Sequence, residues 1–160
     1  MMHWLELSLG THTNPADTEY LFKLTRCFMH DRARGIVPAA LAAAAPKRAL
    51  RLVLISVEQL GFADGATYRE ISERAFAIGY AWCPARSAID LRLVYRQTEL
   101  RGDLRRYNVL HVAMEPILNS MGSPFAFVLW RAFDSDLLYA DFAHEHTRFH
   151  AKDIFVFWSP

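Results

Sequence analysis

Five runs of strand-forming residues follow one another at short spacing in the second half of the chain, at 91–95, 109–114, 125–133, 137–140 and 154–158. In the first, Leu91, Leu93 and Tyr95 alternate with Arg92 and Val94, and residues 109–114 alternate in the same way. A period of two with branched and aromatic side chains is the pattern of half-buried strands. Little chain is left between most runs for crossover helices, so the pattern predicts antiparallel pairing.

Before residue 80 the punctuation is helical. Asn14, Pro15, Asp17 and Glu19 have the chemistry of a helix start, and the spacing predicts a first helix over 14–34 with Leu21, Leu24 and Phe28 as its buried stripe. A short Ala-rich helix is expected over 38–45, and residues 50–57 read as a buried strand. Thr67 and Glu70 form a capping box ahead of a helix over 68–78, with Ile71, Ala75 and Ile78 turned inward. Cys83-Pro84 has the form of another short helix start. The expected class is α+β, with N-terminal helices packed on one face of a mostly antiparallel C-terminal sheet, as a single domain over 1–160.

Composition narrows the function classes. Of 160 residues 52% are apolar and 22% charged, with a net charge of +1, which excludes an intrinsically disordered chain. Eighteen basic against 17 acidic residues leave no global attraction for nucleic acid or anionic membrane. The longest apolar stretch, residues 36–45, is half of a membrane span, and the first ten residues lack the basic start of a signal peptide. A cytoplasmic protein with two free thiols, Cys27 and Cys83, is the expectation.

The chain resembles a family of short bacterial hypothetical proteins. The likeness is carried by EQLGF at 58–62, by GAT at 65–67 with Ile71, Arg74, Ala75 and Gly79, and by CPA at 83–85. Further along it rests on LRL at 91–93 with Tyr95, AMEPI at 113–117, Gly122 with Pro124, and FVF at 155–157. It covers about residues 53 to 158 and is strongest over 58–117. The chain departs from the family pattern at Arg86, where an acidic residue is usual, and in the basic stretch 99–108. The resemblance implies one compact domain and brings no activity with it.

Several constellations could carry chemistry. Arg92, Arg96, Arg101, Arg105 and Arg106, interleaved with Tyr95 and Tyr107, could hold a polyanion, yet Glu99 and Asp103 sit among them. From 86 to 106 six Arg and three acids give a net +3, while from 134 to 153 five acids against Arg148 and Lys152 give −3. The two segments suit each other, within one chain or across a dimer. Nucleic acid is therefore not the expected partner. His144, His146 and His150 could converge on a metal, and Glu115 could be an acid–base group or the ion-pair partner of Arg92. Cys83 could be a thiolate at a helix start, with His111 as a base, or a plain core residue.

No motif of nucleotide, metal or acyl-transfer chemistry is complete, and no cofactor or metal is expected. A non-enzymatic protein-interaction module fits best, binding a protein partner or its own copy through aromatics such as Trp130, Tyr139 and Trp158. The alternatives are a metal-dependent or acid–base enzyme using His144, His146, His150 or Glu115, and a weak polyanion binder through residues 92–106.

Overall fold

Asn14 closes the start of the first helix as expected: its side chain accepts from the Asp17 N–H at 2.8 Å and Pro15 takes the first helical position. The computed structural model of the protein describes residues 3–97, 108–132 and 134–160. In chain order it has β1 (Leu5–Leu7), α1 (Pro15–Thr25), β2 (Phe28–Met29), α2 (Asp31–Arg34), α3 (Val37–Ala42) and β3 (Leu50–Ser56). These are followed by β4 (Ala66–Thr67), α4 (Tyr68–Ala77), α5 (Ala85–Val94), β5 (Val109–Val112) and β6 (Ile117–Leu118). The last elements are β7 (Pro124–Ala132), β8 (Ser135–Phe142), β9 (Arg148–Phe149) and β10 (Ile154–Trp158).

The main sheet runs β1-β3-β10-β5-β7-β8-β2, with β6 paired to β7, while β4 and β9 form a separate two-stranded ribbon. Its pairs are antiparallel except β10 with β5 and β2 with β8. The class is α+β, with helices in the first part of the chain and a mostly antiparallel sheet.

Two expectations about local structure are overturned. The first helix stops at Thr25 rather than running to Arg34, because Arg26 adopts a left-handed conformation (φ 59°) that caps it. The chain then pairs β2 beside β8 before the short helix α2. With the helix ended there, Thr18 and Phe22 face the core, whereas Leu24 and Phe28 are 61% and 65% exposed. The second correction is residues 91–95, which form the end of α5 and its cap rather than a strand. Seven consecutive residues of that helix, Arg86 to Arg92, are buried. A helix enclosed on all sides has no polar face, so its sequence loses the 3.6-residue period that would reveal it.

The core is one cluster. Helix α5 lies across β7 and β8 and packs against α1 and α3. In β7 five consecutive residues from Phe125 to Leu129 are buried, so that strand is covered on both faces. Alternation along β5 and β10 places His111 and Phe155 on one side and Leu110, Val112, Ile154 and Val156 on the other.

The capping box at the start of α4 is present in both directions: Thr67 Oγ1 accepts from the Glu70 N–H, and a Glu70 carboxylate oxygen accepts from the Thr67 N–H. Ile71 and Ala75 are buried, but Ile78, at the helix end, is 49% exposed. Just upstream, Gly65 (φ 85°) brings its backbone so close to Phe149 that a Cβ there would lie 2.4 Å from the Phe149 carbonyl oxygen. That approach seats the β4–β9 ribbon and fixes where α4 begins.

Candidate functional site

The arginine stretch turns inward. Arg92, in the last turn of α5, is fully buried, and its Nη2 lies 3.4 Å from Asp136 Oδ1 on β8. Arg96 and Arg131 reach the same carboxylate, each at 3.4 Å. Arg92 also donates to Gln97 Oε1 at 2.6 Å and to the Leu137 carbonyl at 3.3 Å. Burial pulls its guanidinium below the ordinary arginine value, with Asp136 opposing. Arg92 therefore cannot belong to a binding surface, and its acidic partner is Asp136 rather than Glu115. Arg96 is half-buried in the same cluster. Arg101, Arg105 and Arg106, with Glu99, Asp103 and Tyr107, lie outside the described residues.

His144, His146 and His150 do not form a metal-binding group. The His144 and His146 rings are 5.3 Å apart, and His144 Nδ1 accepts from the His146 N–H. His146 Nε2 faces Glu145 at 3.2 Å. The His150 N–H donates to Asp153, beyond β9. Among the described residues no group of three or more His, Cys, Asp and Glu is placed to hold a metal ion.

Cys83 is buried, and burial pushes its thiol up to about 12. It donates to the Val156 carbonyl at 3.5 Å. The His111 ring stacks on Phe155 at 5.1 Å and meets the Phe149 ring edge at 5.0 Å. No thiol–imidazole pair forms between them. Burial holds the His111 pKa below its ordinary value against the opposing pull of Asp153 and Asp141.

What the structure does assemble is a groove along α4. Tyr68, Ser72 and Phe76 succeed one another at a spacing of four, which places them in one row on the helix. Trp82 packs against that row: its indole N–H donates to Ser72 Oγ at 3.0 Å, and its ring meets Phe76 edge-on at 5.3 Å. Tyr68 stacks farther back at 6.4 Å. With Pro116 and Ala143 these side chains form the floor of a groove of about 280 Å³. On its rim Arg69 bridges Glu73 at 2.9 Å and Glu145 at 3.8 Å.

Trp82 and Pro116 also belong to the wall of an adjoining cleft of about 340 Å³, which contains Glu115 and Trp158. Glu115 is thus exposed at a cleft, whereas Trp130, Tyr139 and Trp158 are half-buried. The groove is suited to gripping apolar groups under acidic side chains. No nucleophile paired with a base lines it. The sequence carried a signal for it, the spacing of four from Tyr68, but the adjacent Ile71–Ala75 row masked it by explaining the helix as a core element.

Compared with family models, with curated proteins and with solved structures, the chain gives no match. The likeness to short bacterial proteins is accordingly an expectation resting on its motifs. Among the described residues no helix is long and apolar enough to cross a membrane.

Proposed function

We propose that the chain is a non-enzymatic interaction module whose α4 groove takes an extended peptide segment from a protein partner. The observation that carries this reading is the exposed Phe76 and half-buried Trp82 beside Pro116, seated on the buried Tyr68 under a charged rim. Aromatic-lined grooves receive extended segments by stacking on apolar or proline residues. Glu73 and Glu145 share the single charge of Arg69, and Glu115 adds another negative charge next door, so the segment carries a basic residue beside its apolar anchor. A cytoplasmic address suits this reading, since reduced thiols persist there and Cys27 and Cys83 are both free.

An array of short peptides pairing a proline or aromatic anchor with Lys or Arg provides the test. Phe76 is 44% exposed, so Phe76→Glu alters the floor without emptying the core. Peptides retained by the parent chain should be lost by this variant. Retention that ignores Phe76→Glu, or no retention at all, would refute the reading.

A second reading, self-association, is favoured by a different surface. Tyr20 and Leu24, one turn apart on α1, and Phe28 on β2, an edge strand of the sheet, are each more than 60% exposed. Exposed large apolar side chains at an open strand edge are the place for a second copy. Sedimentation equilibrium should then show a dimer that Leu24→Glu with Phe28→Glu converts to monomer; a monomer throughout would exclude this reading and leave the groove untouched.

A further inference from the structure

A second cavity, of about 370 Å³, lies between residues 8–11 and residues 45–49. Its volume is in the range of small-molecule sites, ~300–1,000 Å³. Every charged residue in its lining is a cation: Lys47, Arg48 and Arg86. Lys47 and Arg48 are exposed, while Arg86 is more than nine-tenths buried. Its position is set from behind, because Nε donates to Asp90 at 3.2 Å and Nη2 donates to the His12 carbonyl. Nη1 of the same guanidinium takes up no bond with a described residue. That leaves Nη1 free to donate to whatever occupies the cavity.

The peptide facing it is built for close approach. A Cβ on Gly10 would lie 2.7 Å from Asp90 Oδ1 and 2.8 Å from His12 Nδ1, so a larger residue here would have to displace the Asp90 and His12 side chains. The backbone N–H groups of Ser8, Leu9, Gly10 and Thr11 donate to no described residue. The site thus offers one fixed guanidinium, two exposed cations, unengaged amides and the hydroxyls of Ser8 and Thr11.

The charge identifies the class of ligand. Three cations against Asp90 leave two positive charges uncompensated at the cavity. A phosphate monoester carries about −1.5 to −2 at pH 7 and presents three acceptor oxygens, whereas a single carboxylate would neutralise only half of the excess. We infer that this cavity binds a small phosphate monoester, held by Arg86 and enclosed by Lys47 and Arg48.

The test uses the full chain and glycerol 2-phosphate as probe, followed by phosphorus NMR line broadening at constant ionic strength. Saturable binding with a dissociation constant of about 1 mM or tighter is expected. Lys47→Gln with Arg48→Gln, both at exposed positions, should weaken it at least about tenfold, a loss of ~1.4 kcal/mol, with the melting temperature unchanged. Acetate at the same ionic strength should not compete. Absence of saturation, equal binding by the double variant, or equal competition by acetate would each overturn the assignment. None of these outcomes bears on the α4 groove, which shares no lining residue with this cavity.

Discussion

The Tyr68 hydroxyl donates to the Met114 carbonyl and accepts from the Met114 N–H at 3.0 Å, a two-way bond across 46 residues that ties the first turn of α4 to the chain just past β5. Both partners are buried. Tyr68→Phe leaves a backbone donor and a backbone acceptor without their partner, and each such group costs about 1–3 kcal/mol. Urea unfolding should show a loss of at least ~1.5 kcal/mol; a change within ~0.5 kcal/mol would mean that the bond adds nothing to stability.

Asp136 is the carboxylate that Arg92, Arg96 and Arg131 share, Arg131 also reaching Asp134 at 4.0 Å. Asp136→Asn keeps the shape but leaves a fully buried guanidinium unpaired, a change that costs about 3–5 kcal/mol. Arg92→Met in the same background should recover part of that loss by removing the stranded charge. Equal instability of single and double variants in chemical denaturation would disprove the pairing.

The Cys83 thiol is held up to about 12 by burial, so the folded chain keeps its proton while the unfolded chain loses it near the ordinary thiol value of ~8.5. Stability contributed by this difference is fully present below pH ~8.5 and is lost as the pH rises above it. The urea midpoint should therefore fall between pH 8 and 10, and Cys83→Ala should flatten that slope. In native buffer at pH 8 a thiol reagent should leave Cys83 unmodified, and in urea it should react; rapid native modification would contradict the burial.

His111 behaves in the opposite sense. Burial lowers its pKa, as it does for His12, where Asp90 opposes the shift. Folded and unfolded chains are alike above pH ~6.5, but below it the unfolded chain takes up protons that the folded chain refuses. Stability is thus present at neutral pH and falls from pH 7 toward 5. His111→Phe, set among Phe149 and Phe155, should remove part of that acid sensitivity; an unchanged pH profile would show that His111 is not involved.

Local signals were legible where one element decides its own geometry. Asn14, the Thr67–Glu70 box and the strand from Leu50 to Ser56 all lie where their residues indicate. Failures came where the environment decides. Residues Leu91 to Tyr95 alternate like a strand, yet packing against α1, α3 and the sheet buries Arg92 as fully as Leu91 and leaves the apolar Val94 outside. Arg26 takes a left-handed backbone without being a glycine, so nothing in its type announces the break. The mutual attraction of segments 86–106 and 134–153 follows from their charges, whereas the pairing of Arg92 with Asp136 instead of Glu115, and its burial, needed the packing. The α4 groove and the Arg86 cavity depend on residues brought together from distant segments, and no local pattern states such meetings.

The place of β10 has a consequence for how the chain is made. Among the described residues, strands β1 and β3 are joined to β5, β7, β8 and β2 only through it. The residues that bridge the two halves thus leave the ribosome after every strand they join. Until Ile154 to Trp158 emerge, β3 and β5 each present an open edge where β10 will lie, and a long apolar edge is the site at which nascent chains pair wrongly. The sheet is therefore closed late, like a zip, and a helper that shields β3 until β10 arrives would act on this interval alone.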